Sequence, residues 1–442
     1  LSFNTESGPA PASATESHTT FFRQSGWLVV ATTSGGFFMM ATQIAANRWM
    51  QPVEYIIWFT LLRIFLLMSI PSAGLQIIFA QQSAAAVSGL QHHQLARTLR
   101  ATLYATFLIW LVMAAMALIG QRHWIALLKI TNPAALWVTI LIGLASLWSP
   151  IAKGILQGQQ NFKGLGWVLI VDGVGRFVAI LLILLLGGQA AGGMAGALAG
   201  QGISVLIGAW LLRRVLAEPG ERMNWKPWLR RAVPLTLGFG SIQFMSNADV
   251  IYVQSVFSKE QTPFYAPAAM IGLALLTFAG PLSSVMFPKI VRSAALTQDT
   301  RALRHALGAT GLLCGVSALA CTIFPWLPVR MIYFSRPEYW TATPLVPWFA
   351  WALVPLILAN VLLSNLLARE RFAVVPWTLL VVLAYGSTLL ILRPRLLQLE
   401  AMEAFRTVVQ TLGIFSLLLF AVTVLFTCRD KLQSARSTRE VE

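Results

Sequence analysis

One arginine stands in the middle of an apolar run, VEYIIWFTLLRIFLLMSIPSAGLQIIFAQQ, from Val53 to Gln82. A membrane-spanning helix needs about 20 apolar residues. At 1.5 Å per residue, Arg63 lies about 15 Å from Val53, near the midplane of a bilayer. A guanidinium at that depth costs roughly 2.5–3.5 kcal/mol even on the lenient insertion scale, so such residues turn to a bundle interior or a wet cavity. The group stays charged at any working pH and offers planar, paired donors that suit phosphate oxygens. The chemistry expected of Arg63 is therefore capture of an anion; the competing reading is a packing residue neutralised by a neighbouring helix or snorkelling outward. Eight residues on, Pro71 removes an amide donor and should bend the helix where Ser69, Ser72 and Gly74 ease the break. Pro71 is the expected hinge.

Other polar residues fall inside apolar runs. Arg176 follows Asp172 by four residues, the spacing of an intrahelical ion pair. Two readings fit: a structural pair, or a cavity-lining pair that binds substrate and exchanges partners or protons during transport. Asp249 lies beside a partly polar stripe formed by Gln243, Asn247, Val250 and Gln254. It suits a coupling cation or sugar hydroxyls, and equally a hydrogen bond between helices. Gln43 and Asn47, also four apart, face the cavity or an interface. The small-residue stretch AGGMAGALAGQG, Ala191 to Gly202, is spaced for close helix packing. No Gly-x-x-x-x-Gly-Lys-Ser/Thr and no His-Glu-x-x-His occurs. Adjacent His92 and His93 read as solvated loop residues, and no metal site is expected.

The positioning elements follow from composition. Of 442 residues, 57% are hydrophobic and 11% charged, and mean hydropathy is +0.70, beyond any soluble globular composition. The net charge of +16 is spread over short segments between apolar runs, which suits anionic headgroups rather than nucleic acid. Cys314, Cys321 and Cys428 give no disulfide framework. Twelve apolar runs of spanning length can be marked. With both termini on one face, 21 basic residues lie on that side and 9 on the other, Arg63 and Arg176 completing the 32. The bias places both termini in the cytoplasm.

The longest connection divides the runs six and six, and one offset recurs across the division. At 210 residues, Tyr55 matches Tyr265, Pro71 matches Pro281, Leu156 matches Leu366, Phe162 matches Phe372 and Trp167 matches Trp377. An even number of spans gives the halves the same orientation. The expected fold is an all-α polytopic membrane protein with about 12 transmembrane helices in two six-helix lobes related by a parallel repeat. Its expected parts are a disordered cytoplasmic tail (1–25), an N-lobe (26–215), a basic linker (216–231), a C-lobe (232–428) and a basic tail (429–442). Pro281 is a second expected hinge.

Two segments resemble a known family. GILQGQQNFKGLGW, Gly154 to Trp167, resembles the Gly-x-Leu-Gln-Gly plus aromatic connection of bacterial polysaccharide transporters. Ser246 to Ser293 resembles their seventh and eighth helices, with an acidic residue, a turn, a Tyr-Ala start and a Phe-Pro-Lys exit. These are the O-antigen and exopolysaccharide flippases of the multidrug/oligosaccharidyl-lipid/polysaccharide exporter superfamily. The resemblance implies a V-shaped pair of lobes that moves a polyprenyl-diphosphate-linked oligosaccharide across the inner membrane by alternating access. Arg63 is then the first contact for the diphosphate, with Arg176, Asp172, Asp249, Asn247, Gln243 and Gln43 as further candidates. No cofactor is expected beyond a coupling H+ or Na+; the partners are the lipid-linked sugar, membrane lipids and a polysaccharide polymerase or export machinery. The alternative is a multidrug-type cation antiporter of the same superfamily. An enzyme is disfavoured because no external loop is large enough to build a catalytic site.

Overall fold

The computed structural model describes residues 14–86, 88–221, 224–276 and 301–439, and every regular element among them is helical. The first half contains α1 (Ala14–Trp49), α2 (Pro52–Met68), α3 (Ile70–Ala85), α4 (Gly89–Ile119), α5 (Gln121–Leu127), α6 (Ala134–Gly158), α7 (Phe162–Leu185), α8 (Ala190–Leu211) and α9 (Arg213–Ala217). The second contains α10 (Trp225–Val256), α11 (Thr262–Leu276), α12 (Arg301–Ile323), α13 (Trp326–Ile332), a 3-10 segment (Pro337–Leu345), α14 (Val346–Ala368), α15 (Val375–Leu396) and α16 (Ala401–Arg439). Ten helices are long and apolar enough to cross a membrane, α2 and α3 counting as one. The twelve expected from sequence add α10, 32 residues long but carrying Lys226, Arg230, Arg231 and Asp249, and α11, which passes at Leu276 out of the described residues.

Several helix ends differ from expectation. α1 starts at Ala14 rather than after a disordered tail to residue 25, and α16 continues through the expected basic tail to Arg439. α4 starts at Gly89 behind a capping box: the Gln91 amide donates to Ser88 Oγ at 3.4 Å, and the Ser88 amide donates to Gln91 Oε1 at 3.0 Å. Such reciprocal capping satisfies two amides left open at a helix start. His92, His93, Arg97 and Arg100 thus lie on a helix, not in a loop. Lys153, counted among loop cations, is inside α6.

The run that carries Arg63 breaks as its proline demands. α2 stops at Met68 and α3 resumes at Ile70, with Pro71 in its first turn, where a missing amide is harmless. Serines bind the turn and its neighbour: Ser69 Oγ donates to Leu66 O at 2.7 Å, and Ser72 Oγ lies 2.7 Å from Ser69 O and 3.1 Å from Ser146 O, the α6 carbonyl that Pro150 leaves without its helical amide. Pro281 lies outside the described residues.

The 210-residue repeat is visible bond for bond in two connections. Between α6 and α7, Gln160 takes a left-handed φ of 55°; between α14 and α15, Glu370 takes 58°. Asn161 N donates to Leu156 O and Arg371 N donates to Leu366 O, each at 2.9 Å. Phe162 N bonds Gln160 O as Phe372 N bonds Glu370 O. Trp167 and Trp377, next along the two helices, are 55% and 54% exposed. The two halves therefore share not only helix order but turn geometry.

The glycines of the first connection have a packing cause. A Cβ on Gly154 would sit 2.3 Å from the Gln76 carbonyl oxygen, and one on Gly158 would sit 2.3 Å from that of Ala80, so α6 rides directly on the α3 backbone. Backbone cannot swing aside as a side chain can. Gly154→Ala should therefore cost about 1–3 kcal/mol of stability and lower the melting temperature of the purified protein in detergent. Gly202→Ala, with nothing within 4 Å of the added carbon, should leave melting unchanged or raise it slightly.

Candidate functional site

Arg63 points from α2 across the seam between the lobes. Its side chain is 2% exposed. Nη1 donates to the Ser246 carbonyl at 3.2 Å and to Asn247 Oδ1 at 3.1 Å, both on α10. Nη2 donates to the Ala269 carbonyl on α11 at 3.4 Å. The guanidinium carbon stands 4.7 Å from the centroid of the Phe59 ring, one turn back on α2, where the negative face of the ring partly replaces lost hydration. Nε has no hydrogen-bond partner. Asp249 lines the same small cavity, with Ser246, Ala269, Leu273 and Phe349, and accepts a bond from Tyr265 Oη at 2.8 Å. Among the described residues, the acceptors bonded to Arg63 are neutral.

The open cavity expected around Arg63 is not present in this conformation. The cavity has about 10 Å³ of water-sized space, the room of a single water, because α10 and α11 pack against α2 at this depth. The polar stripe on α10 faces the same seam. Asn247 meets Arg63, its amide nitrogen also donating to the Gln243 carbonyl at 2.7 Å, and Gln254 Nε2 donates to Leu128 O at 2.9 Å. Gln243 is half-buried one turn before Asn247. Gln43 and Asn47 on α1 are not brought to Arg63: Gln43 Oε1 and both amide atoms of Asn47 are buried without partners.

At the end of the molecule away from the linker, further bonds join the lobes. Tyr55 and Tyr333 hydroxyls lie 2.9 Å apart, and Tyr333 also meets Met270 Sδ at 3.2 Å. Arg336 Nη2 donates to Met50 O at 2.6 Å. Lys129 donates to the Gln254 and Phe257 carbonyls, the open acceptors at the C-terminus of α10, where a cation is favoured. Partial burial, then the neighbouring Lys259, holds the Lys129 ammonium below the usual lysine range, with Glu260 opposing. Sequence reading missed Tyr333 and Arg336, whose partners lie 278 and 286 residues away.

A second set of charges is confined to the N-lobe. Asp172 on α7 is held by two cations: Arg176 Nη2 at 2.6 Å, one turn along, and Lys153 Nζ on α6 at 2.9 Å. Arg176 Nη2 also donates to Gln201 Oε1 on α8 at 2.8 Å, and its guanidinium lies 5.5 Å from the Phe65 ring on α2. The predicted Asp172–Arg176 pair exists, and Lys153 makes it a triad. Glu54, also missed, is buried at the start of α2. It accepts from Thr131 Oγ1 and from the Ala190 amide at 3.0 Å, so it supplies the acceptor that the N-terminus of α8 lacks within itself.

This helical fold has counterparts among solved structures. An inward closed conformation of the lipid II flippase MurJ matches with a TM-score of 0.68 at 14% identity, over 90% of this chain and 87% of that one. An inward-facing multidrug resistance MATE family transporter of the MOP superfamily matches at 0.64 and 13%, over 91% and 96%. A MOP superfamily transporter from Pyrococcus furiosus matches at 0.62 and 13%, over 92% and 95%. The fold is that of the MOP superfamily transporters. Residues 21–294 match the family described as polysaccharide biosynthesis protein, and the chain belongs to that family. No curated protein sequence matches it.

Removing the carboxylate from the triad leaves two cations facing each other. Asp172→Asn should destabilise the protein by about 3–5 kcal/mol, seen as a large fall in melting temperature, whereas Lys153→Gln, which leaves Asp172 paired with Arg176, should cost much less. At the closed end, Tyr333→Phe deletes one bond between the lobes, about 0.5–1.5 kcal/mol. In a cysteine-free background, a cysteine at Met270 should then react about two- to tenfold faster with a soluble maleimide.

Proposed function

We propose that the protein moves a polyprenyl-diphosphate-linked oligosaccharide, the repeat unit of a surface polysaccharide such as lipopolysaccharide or exopolysaccharide, from the cytoplasmic to the periplasmic leaflet of a bacterial inner membrane by alternating access. Both termini face the cytoplasm in this reading, as the distribution of basic residues favours. The observation that carries it is the state of Arg63: a buried guanidinium at the seam, bonded among the described residues to two carbonyls and an amide oxygen. Charge-assisted bonds to phosphate are about twice as strong as bonds to neutral acceptors, so a diphosphate entering between parted lobes takes these partners' place. Arg176, with Asp172, is a second cationic point on the N-lobe side. Asp249 and Asn247 serve the sugar or a coupling H+ or Na+, and Gln243 and Gln43 border the path. The break at Pro71, with Pro281 as its counterpart, supplies the hinges.

The reaction is transport without catalysis. The rival reading, a cation-coupled multidrug antiporter, places an organic cation beside Arg63 and has only Asp249 to attract it there. Export and drug tolerance separate the two. Arg63→Ala should abolish surface polysaccharide while protein levels hold, with lipid-linked intermediate accumulating on the cytoplasmic face; Arg63→Lys should rescue partly, since an ammonium lacks the paired donors. Normal export by the alanine variant, or export unchanged with drug tolerance lost, removes this reading.

A further inference from the structure

At the linker end, α4 and the start of α10 leave a cleft of about 560 Å³, lined by Arg97, Arg100, Ala101 and Trp225. Its size falls within the roughly 300–1,000 Å³ range of small-molecule sites. Arg97, Arg100 and Ala101 are spaced i, i+3 and i+4, so they form one face of α4, and both arginines are exposed. Arg100 is steadied there: its Nη1 donates to the Leu216 carbonyl at 3.3 Å. Its Nη2 occupies the space a side chain on Gly220 would fill, 2.6 Å from where a Cβ would stand. Neither guanidinium has a carboxylate within ion-pair distance among the described residues. The opposite wall is the first residue of α10, whose start is capped by Asn224 Oδ1 accepting from the Lys226 amide at 3.1 Å. Trp225 packs edge-on against Trp228, centroids 5.6 Å apart. Trp228 in turn meets Phe79 of α3, which fixes the indole wall to the N-lobe core.

Two exposed guanidiniums lining one cleft without a carboxylate partner among the described residues can together receive a multiply charged anion. We propose that this cleft is a docking site for the diphosphate group of a membrane-embedded isoprenoid diphosphate, which it holds at the bilayer surface before the group enters between the lobes. The inference deepens the transport reading above and rests on it. A diphosphate bridges both arginines, whereas the single phosphodiester charge of an ordinary phospholipid satisfies only one. Trp225 lies in the linker segment and is anchored to α3 through Trp228, so both walls of the cleft are tied to the N-lobe.

The test is calorimetric titration of the full chain in detergent with farnesyl diphosphate. Arg97→Gln/Arg100→Gln should bind about tenfold or more weakly, as expected when paired charge-assisted contacts are lost, while its melting temperature stays at the wild-type value. Arg97→Lys/Arg100→Lys, which keeps the charge, should fall between. Inorganic pyrophosphate should compete, and phosphatidylglycerol in mixed micelles should not. Undiminished binding by the glutamine variant, no competition by pyrophosphate, or displacement by phosphatidylglycerol at equal concentration overturns the proposal. Arg63→Gln separates it from the central reading: retained binding there, with loss in the Arg97/Arg100 variant, supports docking whatever the export result. Loss in Arg63→Gln alone overturns docking and leaves the central site standing.

Discussion

A charged guanidinium held in the low-dielectric interior must be bonded in every state the protein visits. In this state the C-lobe provides the bonds to Arg63, through the Ser246 and Ala269 carbonyls and the Asn247 side chain. Pulling the lobes apart removes all three at once, and each bond to a charged group is worth about 1.5–3 kcal/mol. Parting is therefore costly unless another acceptor arrives as the old ones leave. A residue that in isolation reads as a binding group is, in the assembled fold, also what holds the seam shut.

The protein satisfies its buried charges in two distinct ways. The Lys153–Asp172–Arg176 triad lies within one lobe and uses ion pairing, so rigid movement of the lobes leaves its bonds intact. Arg63 spans the lobes and uses neutral dipoles, so movement must break its bonds. The Asp172 triad thus behaves as scaffold in this state, while Arg63, Asp249 and Tyr265 sit where movement is felt. The far end adds further ties between the lobes, from Tyr55 to Tyr333 and from Arg336 to Met50.

Local patterns revealed much of this. The midplane position of Arg63, the break at Pro71 and the i, i+4 pairing of Asp172 with Arg176 follow from residues close in sequence. The 210-residue offset reached further, down to the shared left-handed residue at Gln160 and Glu370. Lys153 escaped because it lies five residues from the end of α6, among Gly and Gln that resemble a loop. The extension of α4 was legible in Ser88 and Gln91, the two members of a capping box, but its His- and Arg-bearing turns have no apolar run to mark them. Tyr333, Arg336 and the closure around Arg63 had no local signal. They depend on how two rigid halves are set against each other, and hydropathy does not encode that relation.

The repeat also shows where the halves ceased to be equivalent. At the shared offset, Arg63 corresponds to Leu273, Lys153 to Leu363, Asp172 to Val382 and Arg176 to Gly386. Arg63 and Leu273 line the same small cavity, so equivalent positions on the two helices meet there with opposite character. The turns and buried contacts that make the fold were kept in both halves, while these four charges stand in the first alone. They sum to two positive charges in the N-lobe, and of the four only Arg63 shares a cavity with the Asp249 carboxylate of the C-lobe. Stability alone gives no reason for that polarity, since apolar residues occupy the matching sites without loss of the helices around them. The polarity is instead a feature of the seam, where the Arg63 guanidinium of one lobe and the Asp249 carboxylate of the other line the same small cavity.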